Sequence, residues 1–352
     1  MTQRAAPKSK PKAPPAVRGS RATGRVTIID VAAEAGVSPM TVSRALKNPG
    51  LVQEQSRQRI LEAIDRLGYV PNQAASTLAS ARSQVIAVLV PSLTNAVFIE
   101  TLSGIRDYLA GAGYQFLIGE TGYVRAKEEQ LIATYLAHAP AGFLLSSSEQ
   151  HDILQARPGS RDIPAVRMFD LGRSQHDFSV GFSQTRAGHA VARHLVERGY
   201  RRPAFLAAQL DPRMMKRREG FRKGLLEAGI KPEIEVLLPE PTTVDMGAQL
   251  LRRVLEQHPE CDSVFCCNDD LALGALFECQ RQGISVPREM AIAGFNDLSW
   301  AACATPSITT VVTPRYDIGY KSAEMLVRQL KGEDIPKGRL DLGFELALRE
   351  ST

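Results

Sequence analysis

The chain has 352 residues, 44% of them hydrophobic and 23% charged, so it is too long for one core and ordinary in composition for a globular protein of several domains. It contains no apolar run near the ~18 residues that would span a bilayer, and its first 25 residues lack the apolar core of a secretory signal, which argues for a cytoplasmic protein. The net charge of +5 is unevenly placed: residues 1–25 hold seven basic residues and no acid, a gradient that draws a polyanion to one end.

Residues 1–25, rich in Pro, Ala and Lys/Arg, are expected to be a disordered basic tail. A helix-turn-helix follows. Thr27 and Asp30 have the spacing of a helix start, Val31, Ala32 and Ala35 share one face, and Gly36 ends the helix. Ser38 then caps a second helix with Pro39 at its first position, where the missing N–H costs nothing, and Val42 and Leu46 continue the apolar stripe. The outward residues are Pro39, Met40, Thr41, Ser43 and Arg44. Thr41 and Ser43 suit phosphates, and the planar fork of Arg44 suits guanine O6 and N7 in a major groove. A third helix, Gln53–Leu67, uses Ile60, Leu61, Ile64 and Leu67 as core and stops at Gly68. Tyr69-Val70-Pro71 resets the chain, and Asn72 caps a short hinge helix over residues 73–79 that is marginal in water by itself.

From residue 84 apolar strands alternate with amphipathic helices, the strands reading as near-continuous apolar runs buried on both faces. The expected strands are Val85–Val90, Tyr114–Ile118, Ala141–Leu145, Ala165–Phe169 and Val180–Phe182, then Pro203–Ala207, Ile234–Leu238, Ser263–Cys267, Met290–Phe295 and Thr309–Val312. The expected helices lie near 96–111, 125–138, 185–199, 214–229, 244–257, 269–282 and 315–330. This alternation predicts an α/β region of two doubly wound parallel sheets.

Ligands of such sheets bind beyond the carboxyl ends of the strands. Those ends are polar here: Ser92 and Asn95, Ser146, Asp170, Ser183, Asn268-Asp269 and Asn296-Asp297. Hydroxyls, amides and carboxylates at one cleft suit a polyhydroxylated ligand. The segment Arg213 to Phe221 opens a helix with the basic residues Arg213, Lys216, Arg217 and Arg218. Cations oppose the dipole at a helix start, so an anion is the expected reason for them. Cys261, Cys266, Cys267, Cys279 and Cys303 have no CxxC spacing and read as reduced structural thiols. No phosphate-binding loop, HExxH or GxSxG is present, and nothing calls for a cofactor or metal.

The segments VTIIDVAAEAGVSPMTVSRALKNP and LGYVPNQAASTLAS, with the α/β portion behind them, resemble the lactose-repressor family of bacterial transcription regulators from Val26 onward. VPSLTNAVF, FCCNDDLALGALFECQ, MAIAGFND, VVTPR and LDLGFEL are similar to its gluconate repressor subgroup. The resemblance implies a helix-turn-helix domain over 26–70, a hinge over 71–83 and a periplasmic-binding-protein-like effector and dimerisation domain over 84–352. Its N-lobe would be about 84–183 with 313–332, and its C-lobe about 184–312 with 333–352. The implied partners are operator DNA, a sugar-acid effector such as gluconate or 6-phosphogluconate, and a second copy of the chain. The absence of a heptad tail favours a homodimer over a tetramer.

By the same resemblance, Pro39, Met40 and Arg44 would meet base edges. Thr27, Ser38, Thr41, Ser43, Lys47 and Asn72 would hold phosphates, and Leu78, with Ala75 on the same helix, would enter the minor groove. Arg217 matches an effector-binding arginine, and Phe98 and Phe182 match effector contacts. Pro39-Met40 replaces a polar pair of the lactose repressor, and Asn296 stands where Asp is common in relatives that bind neutral sugars.

Overall fold

The structure, a computed structural model, describes residues 26–70, 83–160, 162–172 and 177–352, and the chain divides into two units between residues 82 and 83. The expected basic tail and hinge helix, with Asn72, Ala75 and Leu78, lie outside the described residues.

The first unit holds α1 (Ile28–Ala35), α2 (Pro39–Lys47), a single 3-10 turn (Pro49–Leu51) and α3 (Glu54–Leu67). The N–H and hydroxyl of Thr27 both donate to the Asp30 carboxylate, at 2.8 and 2.7 Å, which closes the start of α1. Gly36 takes φ +65°, the left-handed turn that lets α2 leave α1 at once. Ser38 Oγ accepts the Thr41 N–H at 3.2 Å, capping α2 behind Pro39. Val31, Ala32, Ala35, Val42, Ala45, Ile60 and Ala63 form the core. Leu46 and Leu61, expected inside, are 37% and 39% exposed; Ala45, Ala63 and the partly buried Ile64 occupy the inward positions instead.

The second unit holds two six-stranded sheets. The first has the order β11-β5-β4-β3-β1-β2 and the second β12-β10-β9-β8-β6-β7. Their strands are β1 (Val85–Val90), β2 (Gln115–Glu120), β3 (Gly142–Leu145), β4 (Ala165–Phe169), β5 (Ser179–Gly181), β6 (Pro203–Ala208), β7 (Ile234–Leu238), β8 (Ser263–Cys266), β9 (Ala291–Asn296), β10 (Thr309–Val312), β11 (Arg339–Asp341) and β12 (Glu345–Ala347). The helices between them are α4 (Ala96–Ala112), α5 (Arg125–Ala137), α6 (Ser148–Gln155), α7 (Gln184–Glu197), α8 (Pro212–Glu227), α9 (Val244–Gln257), α10 (Asp269–Gln282), α11 (Ser299–Cys303) and α12 (Arg315–Leu330). Both sheets repeat the order 2-1-3-4-5 with a switch point beside the first strand, where open α/β sheets bind ligands.

Two features depart from the sequence reading. β12 runs antiparallel to β10, so the second sheet is not wholly parallel. β11 pairs in parallel with β5, so the last passage between lobes comes after Asp341 rather than at residue 333; the N-lobe sheet needs this strand to cover the edge of β5.

Three helix pairs pack at glycines too closely for any side chain. A Cβ on Gly188 of α7 would meet the Arg217 carbonyl oxygen at 2.1 Å, and one on Gly220 of α8 would meet the Thr185 oxygen at 1.8 Å. Gly104 with Gly319 joins α4 to α12, and Gly247 with Gly274 joins α9 to α10, in the same way. The backbone of Arg217 is thereby seated on α7.

Candidate functional site

The first unit presents one face of α2. Met40 is 70% exposed, Arg44 and Lys47 are exposed, and among the described residues no hydrogen bond or ion pair engages either cation. Pro39 is exposed and Ser43 half-buried. The Ser38 and Thr41 hydroxyls are 2.9 Å apart and bond each other, and that of Thr27 is held by Asp30, so a phosphate would have to compete for those three. Val42 and Ala45 anchor the opposite face, which leaves the free one able to enter a groove.

In the second unit a cavity of about 30 Å³ opens at the carboxyl ends of the strands. Asn95, Val97, Phe98 and Tyr123 line it from the first lobe; Gln209, Asp211, Arg213, Met214, Arg217, Thr242, Asn268 and Asn296 line it from the second. Asn95 and Asn268 are N-caps of α4 and α10, their Oδ1 atoms accepting N–H groups at 3.0 Å each. Their amide NH2 groups, and the whole side-chain amide of Asn296, have no partner among the described residues. Tyr123, Gln209 and Asn296 hold φ values of +59°, +55° and +113°, conformations that cost roughly 1–3 kcal/mol each and that cluster at ligand sites.

The electrostatics single out one group. Arg213 pairs with Asp211 at 2.9 Å and lies over the rings of Phe98 and Phe169, 5.6 and 5.4 Å from their centroids. Lys216 pairs with Asp170, and Arg218 with Glu235 at 2.5 Å. Three of the four cations that open α8 are therefore matched by carboxylates of the chain itself, and the expectation of an outside anion is left resting on the fourth. Arg217 is 4% exposed. Its Nε donates to Gln184 Oε1 at 2.8 Å and its Nη1 to the Cys267 carbonyl at 2.6 Å, while Nη2 has no partner among the described residues. Among the described residues no carboxylate touches it. Burial lowers its pKa to about 10, so it remains a cation at neutral pH. Burial pushes Asp211 up, but the charge and hydrogen bond of Arg213, the Arg217 charge and the Met214 N–H together outweigh it and hold the carboxyl below its ordinary range. Arg213 is pulled down by burial and raised on balance by Asp211 together with Tyr123 and Asp170.

Of the residues read from the sequence as effector contacts, Asn95, Phe98, Arg217, Asn268 and Asn296 line the cavity. The other four do not. Ser92 Oγ accepts the Thr94 and Asn95 N–H groups, both at 3.2 Å. Ser146 is fully buried and bonded to Gln150. Asp170 is taken by Lys216 and by the Leu171 N–H at 3.0 Å. Phe182 stacks behind Phe295, centroids 6.1 Å apart, and so supports the ring under Arg217 without reaching the cavity. The sequence reading missed Tyr123, Gln209, Asp211 and Thr242. Only Asp211 carried a signal, as an N-cap before a proline at the first position of α8. Among the described residues no cluster of His, Cys, Asp or Glu can hold a metal ion, no helix is long and apolar enough to cross a membrane, and the five cysteines are free thiols.

Residues 27–72 match the bacterial regulatory proteins of the lacI family, and residues 192–352 match a periplasmic binding protein-like domain. The chain is 46% identical to the HTH-type transcriptional regulator GntR of Pseudomonas aeruginosa, over 95% of this chain and 98% of that one. Among solved structures it is similar to the transcription regulator GntR from Chromobacterium violaceum, with 48% identity, TM-score 0.72, and coverage of 76% of this chain and 98% of that one. A LacI family transcriptional regulator from Silicibacter pomeroyi is 34% identical with TM-score 0.83, covering 92% of this chain and 98% of its own. With a helix-turn-helix whose α2 face is free, followed by two lobes around a polar cleft, the chain belongs to the LacI family as a DNA-binding transcriptional repressor of the GntR type.

Proposed function

We propose that this repressor controls genes of sugar-acid uptake and catabolism, and that a gluconate-type acid bound in the cleft releases it from its operator. The observation that carries the reading is Arg217, a buried cation on the cavity wall with no contacting carboxylate. A ligand carboxylate supplies that charge through a charge-assisted hydrogen bond to Nη2, the nitrogen left without a partner among the described residues. The NH2 groups of Asn95 and Asn268 and the side-chain amide of Asn296 then meet a polyol chain, whose hydroxyls both donate and accept.

On the DNA side, Arg44, Pro39 and Met40 take base edges, and Lys47, Ser43, Thr41, Ser38 and Thr27 take phosphates. Two copies of the chain read the two halves of a near-palindromic site. The coupling is a free energy shared between cleft and headpiece. The free space is about 30 Å³, whereas small-molecule sites run to roughly 300–1,000 Å³. Admitting the acid therefore requires side chains or lobes to separate, and the arrangement that holds the acid is the one with weaker operator affinity.

Titration calorimetry of the full chain with gluconate, and with glucose as a neutral control, tests the ligand class. Binding of gluconate without glucose supports the reading; binding of neutral sugars without any sugar acid would overturn it.

A further inference from the structure

The cavity wall carries three charged side chains, Asp211, Arg213 and Arg217. Asp211 cannot swing aside. Its Oδ1 accepts the N–H groups of Arg213 and Met214 at 2.7 and 3.1 Å, capping α8, and its Oδ2 accepts from Arg213 Nη2 at 2.9 Å. Arg213 is held in turn against Phe98 and Phe169. Neighbouring Lys216 and Asp170 neutralise each other. The wall thus presents one net positive charge with a fixed carboxylate beside it.

We propose that Asp211 and Arg213 form a charge filter that admits a singly charged sugar acid and rejects its phosphorylated form. This rests on the reading of the cleft as a sugar-acid site. One carboxylate neutralises the wall. A phosphate monoester adds a further charge of about −1.5 to −2 at neutral pH, and brings it near Asp211, whose side chain is largely buried and so poorly screened. The fixed carboxylate acts as the repulsive element that specificity requires, and Arg213 serves to hold it ionised and in place.

The experiment is titration calorimetry of the full-length protein with gluconate and with 6-phosphogluconate at constant ionic strength. In the wild type, gluconate binds at least about tenfold more tightly than its phosphate. Asp211→Asn keeps an N-capping side chain but removes the charge, and the preference narrows to about threefold or less through tighter binding of the phosphorylated acid. Arg213→Gln takes a positive charge from the wall and weakens binding of both acids, an arm that holds whether or not Asp211→Asn folds. Equal affinities in the wild type, an unchanged preference in Asp211→Asn, or unchanged affinities in Arg213→Gln would each overturn the filter. If the wild type binds neither acid, the sugar-acid reading itself falls and the filter with it, whereas failure of the filter alone leaves gluconate bound.

Discussion

The guanidinium of Arg217 lies 3.5 Å from the ring centroid of Phe295, and Phe182 stacks on the same ring. Two aromatics thus brace a cation that is almost wholly buried. The contact is favourable, by ~2 kcal/mol or more when desolvated, but it supplies no negative charge. Hydrogen bonds to Gln184 and Cys267 fix the direction of the guanidinium, and its third nitrogen is left for a ligand.

The position of Arg217 depends on Gly188. A methyl group there would meet the Arg217 carbonyl at 2.1 Å, a separation that backbone must relieve by moving α7 and α8 apart. Gly188→Ala is expected to destabilise the protein by about 1–3 kcal/mol and to weaken gluconate binding, as read by thermal denaturation and calorimetry. Wild-type affinity with wild-type stability would contradict the packing account.

Asp269 is fully buried, and burial raises its pKa to about 6 against the opposing bonds from the Thr310 hydroxyl and the Leu298 N–H, at 2.6 and 2.7 Å. The native state therefore keeps a proton that the unfolded chain has released. Its contribution is greatest below about pH 4 and is lost as the pH rises to about 6, a change on the order of 3 kcal/mol. The melting temperature of the wild type relative to Asp269→Asn should fall between about pH 4.5 and about pH 7. Parallel pH profiles for the two proteins would rule this out.

Arg315, 8% exposed, stands where the chain passes from β10 to α12. It donates to Glu100 of α4 at 2.9 and 3.1 Å, and to the Asp297 carbonyl beyond β9 at 3.3 Å. One side chain thus ties both lobes at a crossing. Arg315→Ala should cost about 1–3 kcal/mol in denaturant unfolding, and Arg315→Lys should recover only part of it, because a single ammonium cannot match a forked donor.

Arg44 is exposed and has no partner among the described residues, so its removal leaves no broken contact in the protein. Arg44→Ala is expected to lower operator affinity by about 1–3 kcal/mol with gluconate binding and melting temperature unchanged. Fluorescence anisotropy with labelled operator reads the first and calorimetry the second; a fall in stability of similar size would mean that Arg44 serves the fold.

The parts legible in the sequence are those fixed by local chemistry. Thr27 with Asp30, Gly36, and Ser38 before Pro39 set the helix-turn-helix through caps and one left-handed residue. The central strands announced themselves as apolar runs because both faces are buried. β11 and β12, three residues each and only exposed or half-buried, have no such run to mark them. In the cleft, Asn95, Asn268 and Asn296 were readable because they sit at strand ends. Ser146 and Asp170 sit there too, but Gln150 and Lys216 claim them, and Asp170 and Lys216 are far apart in sequence. Tyr123 and Gln209 reach the cavity through positive φ values, which side-chain patterning does not reveal.

If an acid on Arg217 releases the operator, gluconate must fail to release a chain that lacks this guanidinium. The most direct measurement titrates gluconate into the operator complex of the wild type and of Arg217→Ala and follows bound DNA by gel shift. Dissociation of the wild-type complex, with an Arg217→Ala complex that forms within a few-fold of wild-type affinity and does not respond, is the predicted result. Full release of Arg217→Ala by gluconate would contradict the account.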